Sequence, residues 1–108
     1  MKIIIAGAGE DGFHLAKLLS YESQEITLID SKKDSLTYAD THLDIKVVKG
    51  DATSIAILKE CRVDNADLFI AVTSSETTNI TASVLAKQLK SILLSNIIIV
   101  FDVIYRSG

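Results

Sequence analysis

Short apolar runs alternate along the chain with stretches in which apolar residues recur every three or four positions. Residues 2–6 (KIIIA) are apolar at consecutive rather than alternate positions, the pattern of a strand covered on both faces. Phe13, Leu15, Ala16, Leu18 and Leu19 follow at helical spacing. A second strand is predicted over 25–30 (EITLID), then a polar, short helix over 31–42 and a third strand over 45–50 (IKVVKG), stopped by Gly50. Ser54 is placed to cap a helix bearing Ile55, Leu58 and Cys61 on one side. A fourth strand is predicted over 68–72 (LFIAV), a long helix over 73–90 and a fifth strand over 96–103 (NIIIVFDV).

Strand and helix alternating in this way, with connections that leave room only for crossovers, predict an α/β fold. The expected architecture is a Rossmann-like, doubly wound parallel sheet of order 3-2-1-4-5, built as a single domain over residues 1–108. No internal repeat, linker or proline-rich segment interrupts it.

Composition narrows the function. Apolar residues make up 48% and charged residues 23%, with a net charge of −3. That balance is globular and leaves no basic face for nucleic acid. The one cysteine, Cys61, cannot close an internal disulfide, which favours a reducing compartment, and it reads as a packing residue. The first residues have too short an apolar run for a signal peptide, and no stretch reaches the length of a membrane span. The chain is therefore expected to be soluble and cytoplasmic.

The candidate chemistry lies where the first strand meets the first helix, in Gly7-Ala8-Gly9-Glu10-Asp11-Gly12. In a doubly wound sheet this turn borders the crevice at the carboxyl ends of the strands. Gly7 would permit the tight turn, Gly9 the approach of a diphosphate, and Gly12 close contact between helix and strand. The helix starting near Glu10 would offer unpaired N–H groups to an anion. Asp30, eighteen residues beyond Gly12, ends the second strand, where it could accept from both ribose hydroxyls of an adenosine and repel a 2′-phosphate. Its alternative role is to cap the following helix. Asp11 sets a carboxylate beside the expected diphosphate, which suits the helix dipole but opposes an anion unless the side chain turns to solvent.

The glycine loop, Asp30, GDAT (50–53), IAVTSSETTN (70–79) and LAK (85–87), in that order, resemble the N-terminal nucleotide-binding lobe of Trk-type potassium-uptake regulators, also called RCK or KTN domains. The resemblance covers roughly residues 1–90. It implies a domain that binds NAD(H), or ATP and ADP, as a signal, and that forms dimers or larger rings beneath a membrane potassium channel or transporter, at the inner face of the cell membrane. By position, the glycine loop would meet the phosphates, and Asp30, with Ser31 beside it, the ribose. Asp51 and Ala52 would line the adenine with Thr53 alongside. Thr73 would face the phosphates or the second ribose, with Ser74, Glu76 and Asn79 following. Thr73 to Asn79 also read as helix capping, and Gly50–Asp51 as a turn. Beyond about residue 90 the chain departs from the family: no glycine turn precedes the fifth strand, and Asp102 stands roughly where an arginine is usual. This implies a truncated or altered tail.

A dehydrogenase would need a substrate domain and an acid–base residue near the nicotinamide. The histidines, His14 and His42, fall in the first two helices, and no catalytic triad, metal-ligand cluster or Walker lysine is visible. A binding module is therefore expected rather than an enzyme. The alternatives are the cofactor lobe of an NAD-dependent dehydrogenase and the sensor lobe of another cation transporter. On the long helix, Ala82, Leu85, Ala86 and Leu89 share one face while Ile80 and Val84 lie opposite. That second apolar face points to self-association, unless it packs under the tail strand.

Overall fold

The computed structural model describes residues 1–90 and, as backbone, 91 and 98–101. The chain runs β1 (Lys2–Ala6), α1 (Glu10–Ser20), β2 (Glu25–Asp30), α2 (Lys33–His42), β3 (Lys46–Lys49), α3 (Ile55–Glu60), a 3-10 turn (Val63–Asn65), β4 (Leu68–Ala71), α4 (Glu76–Ser91) and β5 (Ile98–Phe101). The strands form a parallel sheet of order β3-β2-β1-β4-β5, as the alternation of elements predicts. Residues 96, 97, 102 and 103 of the expected fifth strand, Asp102 among them, lie outside the described residues.

The consecutive apolar residues of β1 have a direct structural cause. Successive side chains point to opposite faces of a strand. Ile3 and Ile5 enter one core with Ala16 of α1 and Leu36 and Ala39 of α2. Ile4 and Ala6 enter the other with Leu58, Cys61 and α4's Ala82 and Ala86. Helices thus cover both faces, and β1 is the central strand. Burial pushes the Cys61 thiol up to about 11, so it is a packing group without thiolate character.

Two helices start later than their sequence pattern implies, because side chains capture the N–H groups ahead of them. Asp30 Oδ1 accepts from Lys32 N–H (2.8 Å), and α2 begins at Lys33. Thr73 to Ser75 fold into a turn tied to Asn79, and α4 begins at Glu76. Ser54 caps α3 as predicted, its hydroxyl accepting from Ile57 N–H. On α4, Ala82 and Ala86 are buried, while Ile80 and Val84 stay 44% and 51% exposed. Lys90 is buried and donates from Nζ to the Ala66 carbonyl (2.7 Å). Its stem covers the core as an apolar residue would, and its ammonium meets the carbonyl that ends the 3-10 turn. No helix among the described residues is long and apolar enough to cross a membrane.

Candidate functional site

A cavity of about 440 Å³ opens at the carboxyl ends of β1, β2 and β4, where the strand order reverses. The three loop glycines have different reasons to be there. Gly7 has φ +118°, and a Cβ on it would stand 2.9 Å from the Val72 and Thr73 backbone. A Cβ on Gly12 would run into the Gly7 carbonyl, so helix and strand touch at that point. Gly9 has nothing within 4 Å of the Cβ position, and it lines the cavity. Only there does the missing side chain leave open space rather than relieve a clash.

Gly9 is also the N-cap of α1, and its carbonyl accepts the first helical hydrogen bond, from Phe13 N–H (2.9 Å). The N–H groups of Glu10, Asp11 and Gly12 precede that bond and are left without intrahelical partners. Open space above three such N–H groups fits an anion.

Asp30 stands at the end of β2 in the same cavity. Its Oδ2 accepts from Ala8 N–H (2.7 Å) and its Oδ1 from Lys32 N–H (2.8 Å). It therefore pins the glycine loop and steadies the approach to α2 in one carboxylate. Each oxygen has remaining acceptor capacity, so a ribose diol could be received as well. Asp51 Oδ1 accepts from the N–H and hydroxyl of Thr53, which hold its carboxyl below the usual carboxylate range. It stays ionised at the far wall beside buried Ala52.

Thr73 lines the opposite wall, and its orientation is fixed by Asn79, which is completely buried. Asn79 Oδ1 accepts from Thr73 N–H (2.9 Å) and from its hydroxyl (2.6 Å), while Nδ2 donates to the Thr73 carbonyl (3.1 Å). The backbone N–H sets the amide orientation, so the threonine proton goes to Oδ1. Ser75 N–H donates to the same hydroxyl (3.2 Å). Thr73 is left with an oxygen lone pair for the cavity, which suits a ribose hydroxyl better than a phosphate.

The singled-out residues thus divide. Gly7, Gly9, Asp30, Ser31, Asp51, Ala52, Thr73 and Ser74 line the cavity. Ala8 and Gly12 shape the loop, Thr53 holds Asp51, and Asn79 holds Thr73, all from behind the cavity surface. Glu10, Asp11 and Glu76 are exposed on first helical turns; Glu10 borders a second hollow of about 380 Å³ with Phe13 and Tyr38. Lys32, Ser35, Ser75 and Thr78, which no sequence motif singles out, also line the main cavity. Each sits in a turn at a strand's carboxyl end or the helical turn after it, where a doubly wound sheet places its crevice. No group of three His, Cys, Asp or Glu side chains among the described residues could hold a metal ion.

The fold recurs widely. A GsuK channel structure bound to NAD superimposes with a TM-score of 0.76 at 23% identity, covering 94% of this chain and 18% of that one. The AMP-bound Kef C-terminal domain of Shewanella denitrificans gives 0.69 at 22%, covering 94% of this chain and 58% of that one. A short-chain dehydrogenase/reductase family oxidoreductase of Aeromonas hydrophila gives 0.74 at 13%, over 93% and 58%. At these identities the likeness is one of fold. Sequence relatives are more specific. The Trk system potassium uptake protein TrkA of Halomonas elongata is 39% identical over 89 residues, which are 82% of this chain and 20% of that protein. The TrkA homolog of Methanothermobacter thermautotrophicus is 33% identical over 88 residues, 82% of this chain and 41% of that protein. The chain thus spans between a fifth and two fifths of the length of these relatives. The TrkA-N domain model matches residues 3–103, and with it the glycine loop, Asp30, Asp51 and Thr73 fall in one cavity: the chain belongs to the TrkA-N domain family.

Proposed function

We propose that this chain is a regulatory nucleotide-binding domain of a potassium-uptake system, which holds NAD(H) or an adenine nucleotide in the cavity as a signal. The observation that carries this reading is the combination, at the adjacent ends of β1 and β2, of open space over Gly9, unpaired N–H groups of α1, and the Asp30 carboxylate. In this reading the phosphates lie over Gly9, the adenosine ribose meets Asp30, and the adenine lies toward Asp51 and Ala52. Thr73 receives a hydroxyl of the second ribose. NAD and AMP in the structures of similar fold, and the potassium-uptake naming of the sequence relatives, support the same assignment. The partner is then a membrane potassium channel or transporter subunit, and the domain works in the cytoplasm at the membrane's inner face.

The domain acts as a receptor rather than a catalyst. The cavity's carboxylates, Asp30 and Asp51, are engaged by Ala8, Lys32 and Thr53, and neither His14 nor His42 lines the cavity. Asp30→Ala is expected to weaken NADH and ATP binding by about 1–3 kcal/mol, through lost charged hydrogen bonds and a loosened loop. Calorimetric titration of both ligands into the two proteins decides it; unchanged affinity would remove Asp30 from the site.

Self-association is part of the proposal. Ile80 and Val84 form an exposed apolar face on α4, opposite the buried Ala82 and Ala86, and a two-fold dimer would pair that patch with itself. Val84→Glu is expected to shift light scattering across a dilution series toward the monomer. A chain that is monomeric at every concentration, with the variant identical, would reduce the face to plain surface.

A further inference from the structure

The strand order lines up the polar groups across the cavity. Asp51 follows β3, Asp30 ends β2, Gly7 and Gly9 follow β1 and Thr73 follows β4, while the sheet runs β3-β2-β1-β4. A nucleotide with its adenosine at Asp51 and Asp30 and its diphosphate over Gly9 brings whatever follows the diphosphate to Thr73. That wall is built differently from the glycine loop. The start of α1 has no side-chain cap, whereas at α4 Ser75 Oγ accepts from Thr78 N–H (3.1 Å) and the Ser75 carbonyl from Asn79 N–H (3.0 Å).

The Thr73 hydroxyl has no proton left for the cavity. Two acceptors compete for that proton, Asn79 Oδ1 at 2.6 Å and the Ser75 carbonyl at 3.1 Å, and both belong to the protein. Asn79 is the closer, and its amide cannot turn round. Its Oδ1 also takes Thr73 N–H, its Nδ2 faces the Thr73 carbonyl, and the whole side chain is buried. One lone pair of the Thr73 hydroxyl accepts from Ser75 N–H (3.2 Å), which leaves one acceptor site facing the cavity. The hydroxyls of Ser74, Ser75 and Thr78 line the same wall, but each can rotate to donate or accept. Thr73 is the fixed one.

Building on the reading of this cavity as a nucleotide site, we propose that Asn79 is a positioning residue that sets the class of nucleotide accepted. By holding Thr73 as a fixed acceptor, it favours a nucleotide whose diphosphate carries a second sugar over a nucleoside triphosphate. A second ribose offers a hydroxyl proton to the Thr73 lone pair. The fully ionised terminal phosphate of ATP offers none, so lone pair meets lone pair and the Thr73 oxygen goes unpaired. A site built to receive one hydroxyl discriminates against a ligand without it for this reason.

The test is calorimetric titration at about pH 8 of NAD, ADP-ribose and ATP into wild type, Thr73→Val, Thr73→Ser and Asn79→Ala. ADP-ribose carries the second sugar without the nicotinamide, so it isolates the sugar's part. NAD and ADP-ribose should each bind the wild type at least about fivefold more tightly than ATP, the worth of one neutral hydrogen bond. Thr73→Val keeps both backbone bonds to Asn79 and should reduce these affinity ratios about fivefold; Thr73→Ser should restore them. Asn79→Ala lets the hydroxyl leave its longer Ser75 contact and donate to a phosphate. It should shrink the same ratios, with no further change when combined with Thr73→Val. A merely structural loss lowers all three affinities together and leaves the ratios where they were. If Asn79→Ala does not fold, the two Thr73 variants decide. Ratios unmoved by Thr73→Val or by a folded Asn79→Ala, or ATP bound by the wild type as tightly as ADP-ribose, would overturn the selection and leave the nucleotide site standing. Failure of all three ligands to bind the wild type would overturn both.

Discussion

Gly12→Ala is expected to destabilise the domain by about 3 kcal/mol or more, although alanine is the better helix former by about 1 kcal/mol. Gly12 lies inside α1, so propensity alone predicts a gain. The competing term is steric: the new methyl would run into the Gly7 carbonyl, a backbone atom that cannot rotate away. Relief requires moving α1 off β1 and disturbing the Asp30–Ala8 hydrogen bond. For a domain of this size the melting temperature should fall by about 10–20 °C. A melting temperature equal to or above wild type would show that the helix–strand contact yields easily.

Gly9→Val should do the reverse, leaving the melting temperature within about 2 °C and reducing NADH and ATP binding below calorimetric detection. Gly9 has φ −70° and ψ −164°, extended backbone open to a β-branched residue, and nothing lies within 4 Å of its Cβ position. The valine would occupy the space above the α1 N–H groups, where the diphosphate is placed. A folded variant that binds normally would mean that the loop is only a turn. Two glycines three residues apart thus separate the stability of this loop from its chemistry.

Much of this arrangement can be read from the sequence because its physics is local. Consecutive isoleucines at 3–5 mark a strand covered on both faces, and the three glycines report the turn, the open space and the close packing around it. Asp30 was legible as an acceptor at the end of β2, but its two hydrogen bonds to Ala8 and Lys32 were not. They depend on how the glycine loop folds back over β2. Asn79 shows the same limit more sharply. The sequence places it among ligand contacts, whereas it is buried and holds Thr73, six residues earlier. An interaction across a turn into the next helix leaves no periodic trace. Lys90 falls on a position that hydropathy assigns to solvent, and the acceptor that admits it to the core, Ala66, lies 24 residues away.

The Asn79–Thr73 clasp also has a mechanical side. It ties the cavity wall to the first turn of α4 by three hydrogen bonds, so a displacement of Thr73 pulls on the helix. Sixteen residues of α-helix make a rod about 24 Å long. About 18 Å of it extends beyond Asn79, so a tilt of about five degrees at the clasp sweeps the far end through about 1.5 Å, a distance comparable to the helix shifts that rearrange subunit interfaces. Ile80 and Val84 ride on that rod, the first beside the pivot and the second about one and a half turns beyond it.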